Sequence, residues 1–271
     1  MDRIRKAVVA GQFYSSSYQG LKNQIEGLIN KKTKRRQVIA CMLPHAGYMY
    51  SGAVAGEVLS CIDLKDKIIL LGPNHTGYGK EFSIMTEGIW QTPLGEVNID
   101  SQLAKDILNG SDYLKEDILA HMYEHSLEVE LPFLQYFKSD FRIVPIVFMS
   151  DNLNILKEIG REIASVIKEK KIEESTLIVA SSDMTHYEPQ AQAEKKDYQA
   201  INAILELNAD KLMEKILELN ISMCGYAPVI VMLSMAKELG ATKGLLIKYQ
   251  TSGDITGDRE SVVGYAGIII Y

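Results

Sequence analysis

The sequence contains no apolar run of about 18 residues, the length that a membrane-spanning helix requires. Its charged start, Met1 to Lys6, is not followed by the apolar core of a signal peptide. The net charge is −6, so the chain lacks the basic excess typical of nucleic-acid-binding proteins. We therefore expect a cytoplasmic protein with neither a membrane nor a nucleic acid as its partner.

Cysteine is also scarce, and three cysteines are an odd number, which argues against a disulfide framework. The P-loop motif, the Gly-x-Gly-x-x-Gly fingerprint of dinucleotide-binding folds and the Gly-x-Ser-x-Gly elbow are all missing. These absences argue against a phosphate-loop enzyme, a dinucleotide-dependent enzyme and an elbow-type serine hydrolase.

What the sequence does contain is a repeated pattern in which an apolar strand runs into a loop with a histidine. The three instances are Val38–Leu43 before His45, Ile68–Leu71 before His75, and Leu177–Ala180 before Asp183 and His186. Such uninterrupted apolar runs are typical of parallel strands that are buried on both faces. Because parallel strands bring their carboxyl ends to one edge of a sheet, we expect these side chains to lie close together.

Strands alternate with amphipathic helices along the chain, which predicts an α/β fold. We expect one domain over residues 1–271, with a mostly parallel or mixed central sheet flanked by helices. Further predicted elements are a strand or extended arm at Val8–Tyr14, a hairpin or meander at Phe82–Asp100, and helices at Ser101–Leu108 (capped by Ser101), Ser126–Phe137 and Pro228–Leu239.

Cys224 lies just before the helix predicted from Pro228, because proline favours the first helical position. The positive end of the helix dipole favours a thiolate over a thiol. A thiolate at this position is either a metal ligand or a nucleophile. The alternative is one more buried cysteine.

Two histidines and one anionic ligand form a familiar three-ligand metal site with open coordination positions. His45, His75 and Cys224 supply such a set, and imidazole with thiolate suits iron(II), copper or zinc. Asp183 and His186 are then candidates for a proton-transfer pair, or alternatively for a loop-stabilising hydrogen bond. We assign no function to His121.

The same residues lie in motifs that closely resemble those of the MEMO family, also called AmmeMemoRadiSam system protein B. The matching segments, in chain order, are Pro44–Tyr48, Gly72–His75, Trp90–Gly95, Glu124–Glu128, Ser181–His186, Cys224–Gly225, Ser252–Asp254 and Val263–Ala266. They span nearly the whole chain in the order of the family, so the resemblance is specific.

The resemblance implies a fold like that of class III extradiol dioxygenases, which are non-haem iron enzymes. It implies a metal pocket formed by His45, His75 and Cys224, with His125 joining Asp183 and His186 around it. The expected metal is iron(II), with copper or zinc as alternatives. Those dioxygenases use two histidines and a carboxylate, so a cysteine in third place argues against cleavage of simple catechols. The family name further implies association with an AMMECR-type protein and a radical SAM protein.

Three functions stay open from the sequence. The first is a dioxygenase-like, redox-type metalloprotein of unknown substrate. The second is a module that binds a peptide or a small molecule in the same pocket without turnover. The third is a cysteine hydrolase that uses Cys224, His186 and Asp183, which leaves His45 and His75 without a role.

Overall fold

The computed structural model describes residues 4–31 and 33–271, and in these residues twelve strands form one mixed sheet. The strands are β1 (Ile4–Lys6), β2 (Ala40–Leu43), β3 (Lys67–Pro73), β4 (Phe82–Ile84), β5 (Ile89–Thr92), β6 (Gly95–Ile99), β7 (Lys115–Glu116), β8 (Arg142–Phe148), β9 (Thr176–Ser181), β10 (His186–Glu188), β11 (Gly244–Thr251) and β12 (Val262–Ile270). The main path runs β1-β5-β6-β8-β3-β9-β2-β12-β10. Its centre, β8-β3-β9-β2, is parallel, while β12 pairs antiparallel with β2, β10 and β11. The predicted α/β fold with a mixed sheet is confirmed.

Helices pack against this sheet. Those in the described residues are α1 (Tyr18–Glu26), α2 (Tyr48–Ser60), α3 (Ser101–Asn109), α4 (Leu119–Met122), α5 (Leu131–Phe137), α6 (Leu153–Lys170), α7 (Gln190–Leu205), α8 (Ala209–Leu219), α9 (Tyr226–Glu238) and α10 (Gly253–Thr256). Helix α2 packs against β11 and β12, α9 packs against β3 and β9, and α6 packs against α9. None of the helices that the structure describes combines the length and the apolar character needed to cross a bilayer.

The parallel centre of the sheet brings three polar loops together. Leu71 in β3 pairs with Ala180 in β9, and Leu43 in β2 pairs with Ser181, so the three strands end at nearly the same level. Their apolar residues are fully buried, because helices cover this part of the sheet. The loops that follow the three strands therefore begin side by side at one edge.

The segment Val8–Tyr14 is not a strand, contrary to the sequence prediction. It turns at Gly11, whose φ is 87°, and the strand of this region is β1, a few residues earlier. The backbone N–H groups of Val8 and Val9 donate to the buried carboxylate of Glu128 at 2.8 and 3.0 Å. Donors that serve a side chain in this way are not available for strand pairing.

One predicted helix start and one predicted helix cap were also wrong. Helix α5 begins at Leu131 rather than Ser126, and Pro132 lies in its first turn, where the missing N–H of proline costs nothing. The residues before it form a looped segment, residues 124–130, which we call the acidic loop because it carries three glutamates. Helix α3 is capped by Asp100 rather than Ser101, since the Asp100 side chain accepts the N–H of Leu103 at 3.2 Å.

Strand β1 carries a buried cation, Arg5, which is only 1% exposed. Its guanidinium pairs with the Glu128 carboxylate, donates to the carbonyls of His121 and Glu124, and lies 4.5 Å from the centre of the Trp90 ring. This planar group thus joins the start of the chain to the acidic loop through several contacts at once.

We predict that Arg5→Met lowers the free energy of unfolding by about 3–5 kcal/mol, because it leaves Glu128 as a buried charge without its cation. Urea denaturation of the parent and the variant measures the loss. Lys6→Met, at the exposed neighbouring position, is the matched control. A loss for Arg5→Met no greater than the roughly 0.5 kcal/mol typical of surface substitutions would contradict this role.

Candidate metal centre

Three imidazole rings meet at the edge of the sheet where the parallel strands end. His45 follows β2, His75 follows β3, and His125 belongs to the acidic loop. One ring nitrogen from each lies within 4.8 Å of those of the other two. Metal–nitrogen bonds are about 2.0–2.1 Å long, so small side-chain movements suffice to bring all three onto one ion. This histidine cluster could therefore hold a metal.

His45 is oriented by two polar contacts. Its ring Nδ1 lies 2.8 Å from the hydroxyl of Ser181, and its backbone N–H donates to Asp183 at 2.9 Å. Burial, with the nearby His75 and His125, lowers the pKa of His45 well below its ordinary value. The ring is therefore neutral at neutral pH, and Nε2 is the nitrogen left to bind a ligand.

His75 is oriented by Glu124, a fully buried carboxylate of the acidic loop. Ring Nδ1 of His75 lies 2.9 Å from Glu124 Oε1, and the backbone N–H of His75 donates to the second carboxylate oxygen. Burial alone disfavours the ionised carboxylate, but the His75 contacts, the Ser126 N–H and nearby His125 outweigh it and lower the pKa of Glu124 to about 2. A carboxylate behind a histidine in this way fixes the ring and raises its basicity as a ligand.

Cys224 lies beside the cluster. Its Sγ is 3.3 Å from His45 Nε2 and accepts the backbone N–H of Asp183, also at 3.3 Å. Burial and the Asp183 charge raise the pKa of this thiol, so the thiolate that we expected from the helix dipole does not form unaided. A bound cation would favour the thiolate again.

The turn at Cys224 differs from the sequence prediction. Helix α9 starts at Tyr226, so Pro228 is its third residue rather than its first, and Gly225 is the N-cap. A Cβ atom on Gly225 would lie 2.3 Å from the carbonyl oxygen of Ser181. Only glycine therefore lets the start of α9 approach the end of β9, and this approach carries Cys224 to His45.

Asp183 and His186 line the same cavity as the three histidines. Burial raises the pKa of Asp183 to about 6, although the backbone N–H of His45 opposes the shift. His186 is oriented by Ser222 rather than by Asp183, since its Nδ1 lies 3.0 Å from the Ser222 carbonyl. A carbonyl accepts only, so Nδ1 carries the proton and Nε2 is free to act as a base.

The cavity over the cluster has a volume of about 420 Å³ and largely aromatic walls. Phe13, Tyr50, Tyr187 and Tyr265 line it together with the histidines. A separate cavity of about 460 Å³ is lined by Cys224, Tyr226 and Met149, and His75 borders both cavities. A small molecule can therefore approach the cluster from two sides.

The close group of possible metal ligands differs in one member from the set expected from the sequence. His45 and His75 come together as expected, but the third member of the close group is His125, which the resemblance placed only around the metal. Whether Cys224 is a ligand thus stays a prediction. His121 lies apart from the cluster, fully buried beside Trp90, and burial lowers its pKa to about 4.

Sequence reasoning missed the residues that orient the rings, above all Glu124 and Ser181. A signal was present: Glu128 and Glu130 alternate with apolar residues shortly after Glu124, and all three glutamates are fully buried. Buried carboxyl groups require a specific partner, so such a segment is typical of a polar network rather than of an amphipathic helix.

Comparison with known proteins places the chain in a family. The profile described as "Memo-like protein" matches residues 5–269. The chain belongs to this family. A MEMO1 family protein of Aquifex aeolicus is 45% identical over 98% of this chain and 99% of its own. A MEMO1 family protein of Methanocaldococcus jannaschii is 42% identical over the full length of both chains.

A solved structure supports the fold. The crystal structure of an uncharacterized protein from Escherichia coli K12 aligns with a TM-score of 0.58 at 14% identity. The alignment covers 85% of this chain and 98% of the Escherichia coli chain. At that identity the likeness shows the fold alone.

We predict that Asp183→Asn stabilises the metal-free protein at pH 8 by on the order of 2 kcal/mol, because it removes a charge that burial disfavours. A folded-state pKa above the unfolded one means that Asp183 favours folding when protonated, so the advantage of the variant shrinks as pH falls through about 6 and vanishes below about 4. Urea denaturation of both proteins at pH 8, 6 and 4 measures it. Equal free energies of unfolding for the parent and Asp183→Asn at pH 8 would contradict the conclusion that burial disfavours the ionised Asp183 carboxylate.

Proposed function

We propose that this Memo-family chain is a redox-type metalloprotein whose centre is held by His45, His75 and one further ligand. The observation that carries the proposal is the convergence of three imidazoles and one thiol at the end of parallel strands, beside an aromatic cavity. The donor set fits iron(II), with copper or zinc as alternatives, and does not suit magnesium or calcium.

The groups hydrogen-bonded to the two histidines also suit a metal site. Nδ1 of His45 and Nδ1 of His75 are both engaged by protein groups, Ser181 and Glu124 respectively. This leaves Nε2 of each ring for the metal, as is usual when an outer hydrogen bond fixes a ligating histidine. The lowered pKa of His45 helps as well, because protons then compete poorly for the ligand near neutral pH.

When bound, iron or copper would supply one-electron chemistry and activation of dioxygen or of a coordinated substrate. The residues of this chain would bind and orient the substrate around it. The aromatic walls offer an apolar surface to such a substrate. The Asp183 carboxylate and Nε2 of His186 line this cavity and can accept a proton from a bound substrate.

A cysteine hydrolase is disfavoured by the state of the thiol. Burial raises the pKa of Cys224, whereas a nucleophilic cysteine requires a lowered one. The Cys224 sulfur contacts the ring Nε2 of His45 and the backbone N–H of Asp183, whereas the His186 ring is hydrogen-bonded to Ser222. The remaining alternative, a binding module without turnover, shares the pocket and is separated by metal dependence.

We predict that His45→Ala and His75→Ala each lose more iron affinity than the roughly 10- to 100-fold typical of removing an outer partner. Cys224→Ser and His125→Ala identify the third ligand: the residue whose replacement lowers the iron affinity by as much as His45→Ala does is the ligand. Metal stoichiometry and affinity of protein purified without oxygen measure this. Cys61→Ser is the matched control, because Cys61 is buried away from the cluster. A parent chain that binds iron, copper and zinc no better than His45→Ala would contradict the proposal.

Proton release identifies the third ligand independently. At pH 8 the Cys224 thiol is protonated, so binding through its thiolate releases one more proton per metal than binding through neutral His125, whose pKa burial lowers. His45 and His75 belong to both sets and contribute equally to both counts. Calorimetry in buffers of different ionisation enthalpy gives the count, and Cys224→Ser should abolish the extra proton only if the sulfur is the ligand.

A further inference from the structure

Glu130, the last glutamate of the acidic loop, is a buried carboxyl group that pairs with no cation among residues 4–31 and 33–271. Its side chain is fully buried, and Oε1 lies 2.9 Å from the hydroxyl of Ser181. Oε2 has no hydrogen-bond partner in the described part of the chain. An ionised carboxylate in such a place would be very costly, because nothing compensates for its lost hydration.

The protons around Ser181 can be assigned by counting. Its hydroxyl oxygen lies 2.8 Å from His45 Nδ1, 2.8 Å from the Ser126 carbonyl oxygen and 2.9 Å from Glu130 Oε1. A hydroxyl has one proton to donate and two lone pairs with which to accept. The Ser126 carbonyl accepts only, so it takes the single proton of Ser181. Both remaining neighbours must then donate to Ser181.

For His45 this assignment puts the proton on Nδ1. For Glu130 it requires a proton on the carboxyl group, because an ionised carboxylate has nothing to donate. The opposite arrangement, in which Ser181 donates to an ionised Glu130, strips the buried Ser126 carbonyl of its donor and leaves the charge uncompensated. The hydrogen-bond count and the cost of burial therefore agree.

We infer that Glu130 is a neutral carboxylic acid in the folded protein and that, by donating to Ser181, it positions His45 with Nε2 directed at the metal. The inference rests on the proposed metal centre. Glu130 touches neither the ligands nor the cavity, so it is a positioning residue that acts through Ser181. Burial, together with the nearby Asp183, also raises the pKa of Glu130 well above its ordinary value.

A neutral Glu130 also matters for the charge of the centre. Asp183, with a pKa raised to about 6, is ionised at pH 8, and the Cys224 thiol becomes anionic only when it binds a cation. A second permanent charge at Glu130 would lie in the same buried region as Asp183 and would be repelled by it. Keeping this group protonated supplies a hydrogen-bond donor without that repulsion.

The test compares Glu130→Gln with Glu130→Met. Glutamine donates an N–H to Ser181 and keeps the neutral charge, whereas methionine has a similar length and no donor. We expect Glu130→Gln to lose less than tenfold in zinc affinity, and Glu130→Met to lose roughly 10- to 100-fold, the range for an outer partner of a ligand. The ¹⁵N shifts of the His45 ring in the zinc-loaded proteins report its tautomer. They should show a single Nδ1–H tautomer in the parent and in Glu130→Gln, and a mixture of ring states in Glu130→Met.

Infrared spectroscopy at pH 8 tests the protonation state without any metal. The parent should show the carbonyl stretch of a protonated carboxylic acid, and Glu130→Gln should lack it. Absence of that band from the parent, or an equal loss of zinc affinity in both variants, would overturn the inference. So would a folded Glu130→Met that binds zinc as tightly as the parent does.

If Glu130→Met does not fold, the infrared band of the parent and the zinc affinity of Glu130→Gln decide. A parent that shows the band but binds no zinc contradicts the proposed function and leaves the protonation of Glu130 established.

Discussion

The site depends on how the acidic loop satisfies three buried carboxyl groups. Glu128 is neutralised by Arg5 and accepts backbone N–H groups from the start of the chain. Glu124 is ionised and hydrogen-bonded to His75. Within the described residues, Glu130 has no cationic partner and its carboxyl group is hydrogen-bonded only to Ser181, which in turn contacts His45. Burying a carboxyl group is unfavourable unless it is paired or protonated, and each group here meets that condition in its own way.

One short segment therefore connects the N-terminal strand with both histidines that the sheet supplies. The strands β2 and β3 bring His45 and His75 to the same edge, but strand ends alone do not fix which ring nitrogen faces the other rings. That choice is made by hydrogen bonds at Nδ1. Because the same loop supplies His125, the positions of all three rings depend on its packing.

Much of this architecture could be predicted from local sequence. The apolar runs before His45 and His75 are strands because their surroundings bury both faces, and the pattern shows in the residues themselves. The start of α5 and the turn after β1 could not be predicted in the same way. Both are set by Glu128 and Glu124, whose partners lie up to 123 residues away in the chain. Hydrogen bonds between distant segments leave no periodic signal in the sequence.

The pKa of the Cys224 thiol could not be predicted from local sequence either. The helix start beside it suggested a thiolate, because proline and the helix dipole are visible in the sequence. Burial against Asp183 is not visible there, and it raises the pKa of the thiol instead. The sulfur nevertheless lies 3.3 Å from His45 Nε2, and a cation bound beside it would favour the thiolate.

The most direct test of a metal centre at this edge is anomalous X-ray diffraction from crystals of the full chain loaded with iron(II) without oxygen. We expect one strong peak at the iron edge, about 2.0–2.3 Å from Nε2 of both His45 and His75 and within the same distance of Cys224 Sγ or a His125 nitrogen. A peak elsewhere in the molecule, or none from protein that carries one iron per chain in solution, would contradict it.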